Sequence, residues 1–167
     1  MQRLSLGRFK TLQSLVARRQ QCLFSSTASQ FPHYELRQTR WNDTDGFGHI
    51  NNAIYYQFMD DSINMHLIDR GIGRNYPRFI AENGIQFRQP IVFPSTVKVG
   101  LRVTKLGNSS VTYQVGFFTK EDDKELRAMG KFVHVYVNEK TGKPVPIPDE
   151  AKAILKTLIC DEQSQEK

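Results

Sequence analysis

A single stretch of helical period, residues 52–70, is followed only by segments that alternate apolar and polar side chains, and this order narrows the fold more than any other feature. At about 100° per residue, Ile54, Tyr55, Phe58, Met59, Ile63, Met65 and His66 cover a wide arc, while Gln57, Asp60, Asp61 and Asn64 form a polar stripe. So broad an arc predicts a helix pressed into a sheet. Asn51 or Asn52 can cap its start, and Gly71 and Gly73 can stop it. Strands are expected over 33–42, from Ile80 to Phe87, from Val97 to Thr104 in period 2 without a slip, from Val111 to Phe117, and from about Arg127 to Val137. Thr141-Gly142-Lys143 and the prolines at 144, 146 and 148 end the sheet, and a short amphipathic helix over roughly 149–159 follows. One helix ahead of an antiparallel meander with one apolar face is an α+β layout. Because one helix covers only part of a four- or five-stranded sheet, the leftover apolar area predicts self-association.

Charge divides the chain sharply. The net charge of +6 invites a nucleic-acid reading, but residues 1–34 hold Arg3, Arg8, Lys10, Arg18 and Arg19 with no acidic residue before Glu35. The remaining 133 residues carry 18 basic against 17 acidic side chains, so the domain itself is nearly neutral and no nucleic-acid partner is expected. An Arg- and Ser-rich, acid-free leader with Phe9, Leu12, Leu15 and Val16 on one helical side resembles a mitochondrial presequence, and a matrix location follows as an expectation. The expected organisation is a mitochondrial-type presequence or disordered leader over 1–29, a domain over 30–160 and a polar tail over 161–167. No run approaches the ~20 apolar residues of a membrane span. Cys22 and Cys160 form no disulfide framework, and the histidines at 33, 49, 66 and 134 have no ligand spacing, so neither a metal nor a cofactor is expected.

Chemistry concentrates in Trp41-Asn42-Asp43-Thr44-Asp45-Gly46-Phe47-Gly48-His49-Ile50-Asn51-Asn52, immediately before the helix. Two carboxylates, an imidazole and two amides meet the unpaired N–H groups and positive dipole end of a helix N-terminus. Such a place suits a reaction that builds negative charge on an oxygen, with a carboxylate as base or nucleophile. Gly46 and Gly48 allow backbone and ligand to approach closely.

The pattern from Asp43 to Tyr55 resembles D-x-D-x-x-G-H-[VI]-N-N-x-x-Y, the signature of the hotdog-fold acyl-CoA thioesterases. The run Phe87-Arg88-Gln89-Pro90-Ile91 and the Pro146-Ile147-Pro148 ending look like the 4-hydroxybenzoyl-CoA thioesterase branch. The resemblance implies a curved antiparallel sheet wrapped around one central helix, dimers that share a continuous sheet, and active sites at the dimer interface. In that branch the second Asp of the motif is the catalytic carboxylate, which falls on Asp45. The similar acyl-carrier-protein thioesterases read D-x-N-x-H-x-N-N, which matches Asp45 and His49 but has Phe47 at the Asn position. Where many members have E-E-A-R in the helix, this chain has Asp60-Asp61-Ser62-Ile63.

The candidate site therefore comprises Asp45 and His49 as catalytic residues and Asn51, Asn52 and Tyr55 as substrate-binding residues. Asp43 is expected to bond loop amides, and Asp60 to lie on a solvated or interface face. His49 either positions water or thioester or locks the loop through its ring. Lys98 and Arg102 share a strand face that would suit coenzyme A phosphates or would simply be the exposed side of a half-buried sheet; Arg88 and Lys105 lie near strand ends, where ligands collect. The function implied is hydrolysis of acyl-CoA to free acid and coenzyme A by a homodimer or homotetramer. A non-catalytic hotdog module binding acyl-CoA or serving assembly in mitochondria is the alternative. A hydratase reading, D-x-N-P-x-H, fails on spacing, since Asp45 and His49 are four apart with no proline between them.

Overall fold

The computed structural model describes residues 27–72 and 76–160. The leader through residue 26, Gly73 and the tail from 161 lie outside the described residues. Strand β1 (His33–Gln38) leads through a 3-10 turn (Trp41–Asp43) and a polar loop into helix α1 (Asn52–Ile68). Strands β2 (Arg78–Phe87), β3 (Thr96–Leu106), β4 (Ser110–Thr119) and β5 (Ala128–Tyr136) follow, then helix α2 (Asp149–Lys156). They form one five-stranded sheet in the order β1-β3-β4-β5-β2, every pairing antiparallel. Only β3 to β5 are a meander. Strand β2 crosses to the far edge beside β5, with α1 laid across the sheet between β1 and β2.

Helix α1 forms where its periodicity places it. Asn51 is the N-cap, its side chain accepting from the Ala53 N–H at 3.0 Å. At the other end Gly71 takes φ +85°, and the Ile72 and Gly71 amides return to the carbonyls of Leu67 and Ile68. Met59, Ile63 and Leu67 are wholly buried against Val99, Leu101, Val115 and Phe132 in the main core. At Gly130 of β5 the Met59 sulfur fills the space that a Cβ would take. Helix α2 adds Ala151 and Leu155 to the same core.

Four details depart from the sequence expectations. Strand β1 ends at Gln38, because Arg40 and Asp43 close the 3-10 turn between them. The alternation in β3 slips by one residue between Val103 and Lys105, a bulge that bends the strand. Met65 is exposed although it falls within the apolar arc, whereas Asp60, Asp61 and Asn64 of the polar stripe are half-buried because β2 packs beside them. The outer face of the sheet is not uniformly polar: Ala28, Phe31, Phe118, Leu126 and Met129 form a second, smaller cluster there. Phe31 lies over the cross-strand pair Gly100 and Gly116, its Cγ 2.6 Å from where a Cβ on Gly100 would stand. The expected hotdog arrangement, a curved sheet around a central helix, is the architecture observed.

Burial leaves two imidazoles in the interior. His66 packs edge-on against His33 with ring centroids 4.4 Å apart, beside Glu35 and Arg70. His134 packs between Tyr113 and Phe132, near Arg78. Desolvation, with help from His33 and Arg70 at His66 and from Arg78 at His134, pushes both from the ordinary 6.5 to about 4. Between those values the unfolded chain binds protons that the folded chain refuses, so the two histidines make stability fall as pH drops from 6.5 towards 4. Urea denaturation across this window should show a loss on the order of a few kcal/mol. His134→Leu should make the profile shallower, with His66 still contributing; an equally steep loss in that variant would assign the acid sensitivity elsewhere.

Candidate active site

The polar segment before α1 is a tightly closed loop. Thr44 and Ile50 bridge its two arms, the Asp45 amide donates to the His49 carbonyl at 2.7 Å, and the Asn51 amide donates to the Asp43 carbonyl at 2.8 Å. Ile50 and Phe93 tie the loop to the segment after β2, through bonds to the Ile91 and Gly48 carbonyls. Gly48 at φ +79° makes the turn that a side chain would strain.

Its two carboxylates have different surroundings. Asp43 is 1% exposed, with one oxygen accepting the Arg40 backbone N–H at 2.7 Å and the other the Arg40 guanidinium at 2.8 Å. Burial alone would raise its carboxyl, but the hydrogen bonds and charge of Arg40 outweigh that and hold it below the usual range. Asp43 thus builds the loop, as expected. Asp45 is only partly covered. Its Oδ1 accepts from the Phe47 and His49 backbone amides at 2.7 and 3.0 Å, while Oδ2 lies 3.9 Å from His49 Nδ1. That separation is too long for a hydrogen bond.

Asp45, His49, Asn52 and Tyr55 come together around one cavity of about 220 Å³, completed by Ile50 and the segment Phe87-Arg88-Gln89-Pro90. Asn52 opens the first helical turn and is exposed. Asn51 is outside this lining, and its side-chain oxygen is engaged in the cap. Tyr55 is 3% exposed and clamped edge-on between Phe87 and Phe117 at 5.2 and 5.1 Å. Burial pushes its phenol up, against the Ile91 backbone amide and the Arg127 charge, so it stays protonated at neutral pH. Asp60 is two turns further along α1, hydrogen-bonded to Asn64, which in turn accepts from Arg78. Burial, then neighbouring Asp61, raises the Asp60 carboxyl.

The strand-face cations are engaged elsewhere. Lys98 pairs with Asp123 at 3.0 Å and lies over the Tyr34 ring; Arg102 bonds Gln114 and stacks on Phe31. Arg88, at the end of β2, does line the cavity. No helical or alternating pattern singles out Gln89 or Ile50, and only the likeness of the 87–91 run to a known branch draws attention to that wall. Among the described residues no cluster of three or more potential ligands could hold a metal.

A sequence model of the Thioesterase-like superfamily matches residues 39–155, which span the loop, both helices and the sheet except β1. The chain belongs to that superfamily. No curated protein matches it in sequence. Among solved structures, the PA5185 protein of Pseudomonas aeruginosa is 36% identical, with 83% of this chain and 99% of that chain covered and a TM-score of 0.77. A Thermus thermophilus thioesterase complexed with coenzyme A and Zn is 26% identical over 77% of this chain and 95% of its own, with a TM-score of 0.64. The 1,4-dihydroxy-2-naphthoyl-CoA thioesterase of Synechocystis shares the fold, at 18% identity over 74% of this chain and 94% of its own and a TM-score of 0.68. Superfamily and neighbours point to an enzyme of thioester hydrolysis.

If Asp43 builds the loop, Asp43→Ala should strip Arg40 of its partner and leave the 3-10 turn open. A stability loss of roughly 1–3 kcal/mol is expected by thermal or urea unfolding. An unchanged midpoint would show that the loop holds without this pair.

Proposed function

We propose that this protein hydrolyses acyl-CoA thioesters to a free acid and coenzyme A, in the manner of the 4-hydroxybenzoyl-CoA thioesterase branch. One observation carries the reading: a half-exposed carboxylate, Asp45, lines the same cavity as the first residue of α1. The thioester carbonyl would sit at the N-terminus of α1. The Asn51 side chain and carbonyl take the Ala53 and Ile54 amides, and among the described residues the Asn52 N–H has no acceptor. That amide and the helix dipole would stabilise the tetrahedral oxyanion, a donor of this kind being worth ~2.7–4 kcal/mol.

Asp45 then either attacks the carbonyl carbon or draws a proton from an attacking water. In the first route an acyl anhydride forms, coenzyme A leaves as thiolate and water regenerates the carboxylate. In the second, water adds directly and the proton on the Asp45 carboxyl passes to the departing sulfur. Because Oδ1 is held by the Phe47 and His49 amides, Oδ2 is the oxygen with freedom to act. His49, 45% exposed at the cavity, would orient the water or the thioester. Asn52 and Tyr55 would contact substrate at the mouth and floor, with Asn51 contributing through the cap. A neighbour bound to coenzyme A supports the choice of carrier.

The assembly proposed is a homodimer, or a tetramer built from it. Strand β2 is an open edge of ten residues carrying Phe79, Ile80 and Phe87, all about half exposed, and α1 adds the exposed Tyr56, Met65 and Ile68. A long edge with that much apolar surface suits pairing with a second copy. The acid-free leader supports a mitochondrial location, which import of a fluorescent fusion would test.

Asp45→Asn keeps the Oδ1 acceptor that closes the loop and removes only the charge. Thiol release from acyl-CoAs should fall by orders of magnitude with folding unchanged, whereas Asp60→Asn should do much less. A reversed order would move the chemistry to the helix acid, and acyl-CoA binding without any thiol release would favour the non-catalytic module. For the assembly, light scattering at micromolar concentration should give at least twice the chain mass; a stable monomer would refute it.

A further inference from the structure

The cavity has one wall that belongs neither to the Asp45 loop nor to α1. Phe87 ends β2, and Arg88-Gln89-Pro90 continue from it outside any helix or strand. Irregular backbone beside an edge strand adapts easily unless something holds it. Here the holding comes from the β4–β5 connection. The Arg88 and Gln89 amides both donate to the Arg127 carbonyl, at 2.9 and 3.1 Å. The Arg127 guanidinium donates to the Gln89 side-chain oxygen, and the Gln89 amide nitrogen donates to Glu125. Both ends of the Gln89 carboxamide are therefore engaged, which fixes its orientation.

Arg127 is itself a fixed post. Its amide donates to the Phe117 carbonyl at 2.8 Å, and its guanidinium lies 3.2 Å from Glu125 and 3.6 Å from Asp122. The connection is pinned from behind as well. Asp123 pairs with Lys98 and accepts the Ala28 amide, and Leu126 is buried with Phe31 and Met129. The wall is thus tied through Arg127 to the buried outer cluster of the sheet, while Asp45 lies in the loop that leads into α1.

We propose that Arg127, acting through Gln89, is a positioning residue that holds the cavity wall in register with Asp45 and thereby sets which acyl thioesters the site accepts. The inference rests on the thioesterase reading. A wall held in one place discriminates among acyl groups because a mismatched group cannot bring its carbonyl to the carboxylate, whereas a loose wall shifts to fit several. The planar fork that reaches an amide oxygen while flanked by two carboxylates is a property of arginine that lysine does not reproduce.

The test compares wild type, Gln89→Ala, Arg127→Met, Arg127→Lys and the double variant Gln89→Ala/Arg127→Met. For each, kcat and KM are measured on aromatic acyl-CoAs and on a straight-chain series from acetyl to stearoyl, together with the melting temperature. In Gln89→Ala and Arg127→Met the ratio of kcat/KM between the best and the next-best substrate should fall about tenfold. Arg127→Lys should not restore it, and the double variant should be no worse than either single, because the two side chains act as a unit. A merely structural role would lower the melting temperature and the activity on all substrates alike, leaving the ratio intact. Gln89 is exposed, so Gln89→Ala decides the matter even if Arg127→Met does not fold. An unchanged ratio in Gln89→Ala, or additive effects in the double variant, overturns the inference while leaving the thioesterase reading standing. A wild type inactive on every thioester overturns both.

Discussion

The burial of α1 in the concave face of the sheet is the contact on which the other features hang. Met59, Ile63 and Leu67 lose all contact with solvent there, and burying each such side chain is typically worth about 1.5–3 kcal/mol. Gly130 of β5 leaves the space that the Met59 sulfur occupies, so a side chain there would have to displace the end of Met59. Bulges between Ile80 and Glu82 in β2 and between Val103 and Lys105 in β3 help the sheet bend around the helix. With the axis of α1 fixed, its N-terminus can open at only one place, beside the end of β2. The cavity is a consequence of that placement.

Within the loop, two aspartates two residues apart divide the work. Asp43 is sealed and matched with Arg40, and its carboxylate organises the turn that precedes the site. Asp45 uses one oxygen to close the loop on the Phe47 and His49 amides and keeps the other facing His49. The same side chain therefore shapes the loop and leaves one carboxylate oxygen free of hydrogen bonds to the loop at the cavity. This is why a substitution that keeps the amide-binding oxygen is the informative one.

A second support system lies on the outer face of the sheet. Phe31 covers Gly100 and Gly116, and Leu126 and Met129 join it to the connection that carries Glu125 and Arg127. Strands β3 and β4 thus have a packed cluster on each side, and the β4–β5 connection, bonded to the Arg88-Gln89 segment, is tied to the outer one through Leu126. The paired glycines stand on the non-apolar side of two unbroken period-2 patterns, and that pattern does not say what covers this side. Their purpose becomes visible only when Phe31, distant in sequence, is seen to fill the space above them.

Helix α1, its Asn51 cap, the α+β class and the location of the polar loop at the helix mouth were legible from the residues alone, because each depends on local periodicity and on side chains bonding to nearby backbone. So was the structural part of Asp43, whose carboxylate accepts the Arg40 backbone amide in the loop. Local pattern could not supply the crossing of β2 to the far edge, the exposure of Met65, the partial burial of Asp60 and Asn64, or the Arg127–Gln89 clamp. Each of these is a contact between segments far apart in the chain. A sequence period states which residues share a face, but it does not say what that face will meet. The sequence by itself determined the elements and the chemistry available at the start of the helix; the tertiary structure alone decided which distant residues close the cavity, since long-range packing selects one among the many pairings that the same periodicities permit.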